Sequence, residues 1–257
     1  MKRIIIYVLY FVFTYCCFSN TLTAAENETI LFPSIDGLQI TADAYIQHPD
    51  KKTPFIVLFH QAHWSRGEYL EIVPKLNQLG FNCMAVDLRS GKEVNGVSNE
   101  TMLRAKAIGK GTTYVDALQD MEAALKYAHN HYAEGKVIAW GSSYSAALVL
   151  KIAGDRPDLV GGVLAFAPGE YFKRLGKPGT WIQSSAGKIK IPAFITSAHR
   201  EKKAWSDIFD DIPSKTKASY LPDTNGNHGS RALWSRFKDS DGYWKAVTGF
   251  LEKNFKN

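Results

Sequence analysis

A short apolar strand that runs directly into a serine-containing turn and a helix constrains this chain more than any other feature. Residues 137–140 are all apolar, residues 141–145 read Gly-Ser-Ser-Tyr-Ser, and an apolar helix begins near Ala146. Uniformly apolar strands are typical of positions covered on both faces of a sheet. A buried strand followed at once by a helix therefore predicts a parallel sheet with helices packed on both sides.

The turn also singles out one serine. In the G-x-S-x-G nucleophile elbow a serine lies on a sharp strand-to-helix bend, and small residues two positions on either side let the backbones pass closely. Ser143 has Gly141 before it and Ser145 after it at that spacing. Neither Ser142 nor Ser145 has a glycine two positions before it. Ser143 is therefore the candidate nucleophile of the three.

Strand and helix patterns alternate along the rest of the chain, and no linker or repeat divides it. An α/β domain over residues 26–257, with about eight strands, an antiparallel edge hairpin and helices on both faces, is the expected architecture. The Asp36-Gly37 pair favours the turn of that hairpin. Predicted strands cover residues 29–33, 38–46, 54–59, 81–87, 137–140, 159–166, 191–196 and 218–221. Predicted helices cover residues 67–79, 100–107, 113–131, 146–152, 201–210 and 243–255.

The N-terminus predicts export. Lys2 and Arg3 precede an apolar run over residues 4–18, and small residues follow up to Ala25. This is the layout of a secretory signal peptide, residues 1–25, with cleavage after Ala25 and a secreted or periplasmic product. After cleavage no stable membrane association is expected. An uncleaved membrane anchor is the alternative, and a lipoprotein reading through Cys16 or Cys17 is disfavoured by the bulky Tyr15.

Charge and motifs exclude several functional classes. The net charge of +6 falls to +4 without Lys2 and Arg3, and the remaining basic residues are scattered, so nucleic acid is not an expected partner. The Gly- and Lys-containing stretch at residues 109–113 does not match a phosphate-binding loop, and no G-x-G-x-x-G follows the first strands. We expect no cofactor and no metal, since His60 and His63 lack a third ligand cluster.

Functional groups in a parallel sheet collect at the carboxyl ends of the strands. The segments that follow successive predicted strands contain His60, Asp87, Ser143, Glu170, Glu201 and His228. A serine hydroxyl becomes a strong nucleophile when an imidazole accepts its proton, and a carboxylate fixes the tautomer of that imidazole. A serine, carboxylates and a late histidine on one edge are the components of acyl-transfer chemistry.

The order Ser143, Glu201, His228 resembles that of the α/β-hydrolase fold. Residues 58–69 resemble the oxyanion loop of dienelactone-hydrolase-like members, and residues 227–234 resemble their histidine loop. The resemblance covers nearly the whole chain after the signal peptide. It implies a serine hydrolase, of esterase or dienelactone-hydrolase type, that acts on a small-molecule acyl substrate.

Carried over position by position, the resemblance implies that Ser143 is the nucleophile and His228 the general base. One oxyanion donor would be the N–H of Tyr144 and the other the N–H of Ala62, with Gln61 as the alternative. The acid is open: Arg200 stands where related chains carry an aspartate, Glu201 beside it has the reach to substitute, and Glu170 is the alternative. The aromatic residues Trp64, Tyr69, Tyr144, Tyr171, Phe172 and Trp181 are candidates for a substrate pocket or for packing.

Two other functions compete with an esterase. A serine peptidase or amidase of the same fold would use the same residues, and a catalytically silent relative would bind a ligand in the same cleft. The sequence does not decide between ester and amide, and it does not give the physiological substrate or the oligomeric state.

Overall fold

A computed structural model describes residues 27–256, so the predicted signal peptide lies outside the described residues. An eight-stranded sheet with the order β1-β2-β4-β3-β7-β8-β9-β10 forms the centre of the fold. β1 pairs antiparallel with β2 and β2 antiparallel with β4, and the other neighbours are parallel. The predicted mostly parallel sheet with an antiparallel edge hairpin is confirmed.

The sheet strands are short, and the central ones are buried along their whole length. They are β1 Glu28–Pro33, β2 Gln39–Tyr45, β3 Phe55–Phe59, β4 Asn82–Val86, β7 Val137–Ser142, β8 Gly162–Phe166, β9 Ala193–Thr196 and β10 Lys217–Tyr220. A separate two-stranded hairpin, β5 Glu93–Val94 with β6 Val97–Ser98, forms within the polar stretch after β4. The sequence did not predict this hairpin.

Seven α-helices and several 3-10 turns connect the strands in the described part of the chain. The helices are α1 Ile72–Gln78, α2 Glu100–Ala107, α3 Ala117–His131, α4 Tyr144–Asp155, α5 Gln183–Ala186, α6 Ser206–Asp211 and α7 Ser240–Phe255. Among residues 27–256 no helix has both the length and the apolar character needed to span a membrane.

Two separate apolar clusters form the core, one on each face of the sheet. Along β3 the side chains of Phe55, Val57 and Phe59 join the cluster that contains α3 and α4, whereas Ile56 and Leu58 join the one that contains α1 and α7. Alternate residues of a strand point to opposite faces, so a strand covered on both sides must be apolar throughout. This is why the predicted buried strands are continuous apolar runs.

Several helices begin elsewhere than predicted because local hydrogen bonds decide their ends. Helix α3 begins at Ala117 rather than near residue 113, since the Asp116 carboxylate accepts hydrogen bonds from the N–H and the hydroxyl of Thr113 at 2.8 and 2.7 Å. The helix predicted from Gly67 begins as a 3-10 turn, Arg66–Tyr69, capped by the Ser65 hydroxyl. The helix predicted over residues 201–210 is a 3-10 helix, His199–Ala204, followed by α6.

Candidate active site

A sharp turn between β7 and α4 presents Ser143 at the carboxyl end of the sheet. Ser143 has φ 60° and ψ −119°, a conformation that costs energy in a residue other than glycine. Its N–H donates to the carbonyl of Phe166 at 2.7 Å, which holds the turn against β8. A Cβ on Gly141 would lie 2.6 Å from the Cα of Ala146, so only glycine fits where strand and helix cross.

The two neighbouring serines are buried and engaged in hydrogen bonds. The Ser145 hydroxyl accepts from the N–H of Ser142 at 2.8 Å and lies 2.8 Å from the carbonyl of Phe59. A serine thus replaces the second glycine of the elbow and braces it. The Ser142 hydroxyl donates to the Glu68 carboxylate at 2.7 Å. Of the three serines only Ser143 is partly exposed, and it lines a cleft.

Glu201 and His228 form the closest acid–imidazole pair at this edge of the sheet. His228 Nδ1 lies 2.7 Å from Glu201 Oε1, and the two side chains are 30% and 22% exposed. Because a carboxylate accepts, Nδ1 carries the proton and Nε2 is the basic nitrogen of the neutral ring. The other carboxylate oxygen accepts from the N–H of Ala198 at 3.2 Å, which fixes the carboxylate plane. A second nearby pocket, of about 260 Å³, is lined by His228 together with Arg200 and Arg231.

Glu170, the alternative acid, is used elsewhere. Its Oε1 accepts from the N–H groups of Ile182 and Gln183 at 2.9 and 2.8 Å. These are free donors at the start of α5, and a carboxylate there acts as a helix cap. The structure therefore brings Glu201, and not Glu170, to the histidine.

The histidine loop and the serine elbow are joined directly beneath these side chains. The N–H of Ser230, two residues after His228, donates to the hydroxyl of Ser142, the residue before Ser143, at 2.8 Å. Gly229 makes this approach possible: it has φ 72°, and a Cβ there would lie 2.5 Å from Ser142 Oγ. Ser143 and His228 are therefore carried by two loops that touch.

The loop after β3 reaches the same cleft. Ala62, Ser143 and Tyr144 line one cleft, and no hydrogen bond from the N–H of Ala62 or Tyr144 is made within residues 27–256. Two such free donors beside a serine can hold an oxyanion. The structure does not support Gln61 as the alternative donor, because its N–H already donates to Glu68 Oε2 at 2.7 Å.

The cleft beside Ser143 has a volume of about 490 Å³ and a mostly apolar lining. Its walls are Ala62, Thr113, Tyr114, Ser143, Tyr144, Tyr171, Arg174 and Leu175. Of the six aromatic candidates only Tyr144 and Tyr171 reach it. Trp64 stacks on Trp234, Phe172 packs against Trp181, and Tyr69 donates to the carbonyl of Phe59 in the core. Tyr114, which no sequence pattern indicated, also lines the cleft and stacks on Tyr144 from the segment before α3.

His60 is a buried structural histidine. Its Nδ1 lies 2.8 Å from the carbonyl of Gln61, and its Nε2 accepts from the N–H of Leu88 at 2.9 Å. Because a carbonyl only accepts and an N–H only donates, the ring is neutral with the proton on Nδ1. Burial lowers the pKa of His60 to about 4. His63 is exposed, and residues 27–256 contain no group of three side chains placed to hold a metal ion.

Comparisons with known proteins concern the fold and the class of protein. A family model described as serine aminopeptidase, S33, matches residues 50–173. No curated protein matches the sequence.

Solved structures resemble the whole domain. An esterase of Pyrococcus furiosus has a TM-score of 0.68 at 15% identity, over 90% of this chain and 91% of that one. A dienelactone hydrolase from Anabaena variabilis has a TM-score of 0.68 at 13% identity, over 91% and 100%. An acylaminoacyl peptidase of Pyrococcus horikoshii has a TM-score of 0.64 at 15% identity, over 91% of this chain and 42% of that one. The fold is that of the α/β hydrolases, and the family model supports a hydrolase.

Proposed function

We propose that this chain of α/β-hydrolase fold is a serine hydrolase that cleaves a carboxylic ester, a lactone or a related acyl bond. The observation that carries the proposal is the 2.7 Å contact between Glu201 and His228, on a loop bonded to the elbow of Ser143. A carboxylate that orients an imidazole, which in turn takes the proton of a serine hydroxyl, is the arrangement that activates such a hydroxyl.

In the proposed reaction, Ser143 Oγ attacks the carbonyl carbon while His228 Nε2 accepts its proton. The negative charge on the former carbonyl oxygen is stabilised by the N–H groups of Ala62 and Tyr144, and one such donor contributes about 2.7–4 kcal/mol in comparable enzymes. The carboxylate of Glu201 stabilises the imidazolium. His228 then gives the proton to the leaving alkoxide oxygen, and the acyl group remains on Ser143.

Deacylation repeats these steps with water. His228 Nε2 accepts a proton from the water whose oxygen attacks the acyl carbon. The tetrahedral intermediate uses the same two N–H groups, and its collapse releases the carboxylic acid and returns the proton to Ser143 Oγ. No further group is required, because each proton moves between oxygen and the one imidazole.

The cleft indicates the size of the acyl group. A volume of about 490 Å³ lies within the range of small-molecule sites, and tyrosine rings with Leu175 favour an apolar or aromatic acyl chain. The connection from β8 to α5 forms one wall of the cleft through Tyr171, Arg174 and Leu175. We therefore propose small or medium substrates.

A serine peptidase or amidase is the second candidate. It is favoured by the family model, which describes serine aminopeptidases, and by the likeness to an acylaminoacyl peptidase. The same serine, imidazole and oxyanion donors would serve an amide. The rates on p-nitrophenyl esters of increasing chain length, compared with the rates on aminoacyl p-nitroanilides, separate the two.

A fluorophosphonate probe tests the proposal. We expect the wild type to be labelled, and Ser143→Ala and His228→Ala to lose the label. Ser206→Ala serves as a control, because Ser206 starts α6 away from the cleft lining, and it should be labelled like the wild type. A wild type that is not labelled would contradict the proposal and favour a silent ligand-binding relative.

We also propose that the protein is exported and then free of the membrane. The proposal rests on the basic, apolar and small-residue order of residues 1–25. Expression in a bacterial host followed by N-terminal sequencing of the periplasmic protein should give Glu26 as the first residue. A full-length chain that stays in the membrane fraction would favour the uncleaved anchor.

A further inference from the structure

A fully buried carboxylate, that of Glu68, lies beneath the site and belongs to none of the roles described so far. Glu68 is 0% exposed and lies in the 3-10 turn Arg66–Tyr69. A buried carboxylate is costly unless donors satisfy it, so its partners show what it stabilises.

Those partners come from the three loops that carry the reacting groups. Glu68 Oε2 accepts from the N–H of Gln61 at 2.7 Å, in the loop of Ala62. Glu68 Oε1 accepts from the Ser142 hydroxyl at 2.7 Å, next to Ser143. That hydroxyl in turn accepts from the N–H of Ser230 at 2.8 Å, in the loop of His228.

The backbone of Glu68 adds a fourth connection. Its carbonyl accepts from the indole N–H of Trp234 at 2.9 Å, so the end of the histidine loop is tied to the same turn. The hydroxyl of Ser230, in its turn, accepts from the indole N–H of Trp140 on β7 at 2.9 Å. The network around the carboxylate is therefore continuous from β7 to the histidine loop.

We propose that Glu68 is a positioning residue that aligns the oxyanion loop, the nucleophile elbow and the histidine loop through its ionised carboxylate. This inference rests on the proposed serine hydrolase function. By taking the N–H of Gln61, the carboxylate leaves the next N–H, that of Ala62, free for an oxyanion. By taking the proton of the Ser142 hydroxyl, it leaves that oxygen to accept from Ser230.

The directions of these hydrogen bonds explain why the charge matters. Both oxygens of the Glu68 carboxylate accept hydrogen bonds. A proton on Oε2 would face the N–H of Gln61, and a proton on Oε1 would face the Ser142 hydroxyl, which already donates. The positive charge of Arg231 favours the ionised form of Glu68. The nearby phenols of Tyr69 and Tyr144 have raised pKa values and stay neutral. Burial raises the pKa of Glu68 to about 7, so its charge changes near neutral pH.

Glu68→Gln tests the proposal, with Glu71→Gln as the matched control. Glu71 lies three residues away and also reaches the histidine-loop side, through the N–H and hydroxyl of Ser235 at 3.0 and 2.8 Å, but it is exposed. We expect Glu68→Gln to lower kcat for a p-nitrophenyl ester by about 10- to 100-fold with KM little changed, since small misplacements of catalytic groups have effects of this size. Glu71→Gln should behave like the wild type.

The acid side of the pH–rate profile separates positioning by a charge from simple packing. For the wild type the acid side of the profile should contain a fall in rate that comes from protonation of Glu68. In Glu68→Gln this fall should be absent. Ser142→Ala removes the hydroxyl link and keeps the carboxylate, so it should lower kcat and retain the fall in rate that comes from protonation of Glu68.

Hydrogen–deuterium exchange gives a readout that does not need activity. The N–H groups of Gln61 and Ser230 should exchange faster in Glu68→Gln than in Glu71→Gln. If Glu68→Gln has the wild-type kcat and an unchanged pH profile, the proposal is overturned. If Glu68→Gln does not fold, a wild-type kcat in Ser142→Ala overturns it instead. If the wild type hydrolyses no ester but the two variants differ in exchange as predicted, the proposed function is contradicted. The role of Glu68 in holding the three loops together is then retained.

Discussion

His60 and His228 both follow strands of the sheet, yet the structure gives them opposite surroundings. His60 is fully buried, and both of its ring nitrogens are occupied by backbone groups. His228 is 30% exposed, has a carboxylate on Nδ1, and its Nε2 has no hydrogen bond within residues 27–256. An imidazole needs a free basic nitrogen to accept a proton from substrate or nucleophile. Only His228 has one, so position at the sheet edge does not by itself make a histidine catalytic.

The largest expected effect separates the two histidines by activity. His228→Ala removes the proposed base and should lower kcat by about 10⁴- to 10⁶-fold, as loss of the base does in a serine hydrolase. His60→Ala should lower kcat only about tenfold, since it loosens the loop of Gln61 without removing a reacting group. Steady-state rates on one ester measure both. Equal losses of kcat in the two variants would contradict different roles for the two histidines.

Replacement of Glu201, the proposed acid, tests how His228 is oriented. Glu201→Gln places an amide where the carboxylate oriented Nδ1–H, which favours the wrong tautomer, and kcat should fall by up to about 10⁴-fold. Glu170→Gln is the control: it weakens the cap of α5, should cost about 1 kcal/mol of stability, and should keep kcat near the wild-type value. Rates and urea unfolding together distinguish these outcomes. A larger rate loss in Glu170→Gln would make Glu170 the acid.

The free energy of unfolding should fall more in His60→Ala than in His228→Ala, the reverse of the order expected for activity. His60→Ala leaves the N–H of Leu88 and the carbonyl of Gln61 without their buried partner, and we expect about 2–4 kcal/mol lower free energy of unfolding. His228→Ala should change the free energy of unfolding by about 1 kcal/mol or less, because the hydrogen bond of His228 to Glu201 is partly solvent-exposed. Denaturant unfolding at neutral pH measures both values.

The pH dependence of stability gives the smallest and most specific test. The pKa of His60 is lowered to about 4 in the folded chain, against about 6.5 when unfolded, so the unfolded state binds the extra proton first. The neutral ring therefore contributes its stability above pH 6.5, and the contribution is lost as the pH falls from 6.5 towards 4. It amounts to about 3 kcal/mol. The difference in unfolding free energy between the wild type and His60→Ala should shrink by this amount, and a difference independent of pH would argue against a buried neutral ring.

Local patterns made much of the fold readable from the sequence. The apolar runs of β3, β4 and β7, the turn at Asp36-Gly37 and the bend at Ser143 each depend on neighbouring residues alone. The start of α3 was missed because the Asp116 side chain, and not the apolar spacing, fixes it. Helix α5 was missed because it is only four residues long and is capped from a distance by Glu170.

The site was readable only in part, since its geometry depends on contacts between distant segments. The sequence order suggested Ser143, Glu201 and His228, but the contact that distinguishes Glu201 from Glu170 spans 27 residues. The burial of Glu68 does not follow from the local sequence, because a charged residue at the start of the helix predicted over residues 67–79 can lie on a surface or brace a loop. Its partners Gln61, Ser142 and Ser230 meet only when three loops come together, and that meeting also removes Gln61 from the oxyanion donors.

Ser143, and neither of its neighbours, is the residue that we propose to form the covalent intermediate. Tandem mass spectrometry of the protein after reaction with a fluorophosphonate locates the bound phosphorus directly. The adduct should lie on Ser143 alone, and an unlabelled His228→Ala control should show that the imidazole is required. An adduct on Ser142 or Ser145, or a wild type that carries no adduct, would contradict Ser143 as the nucleophile.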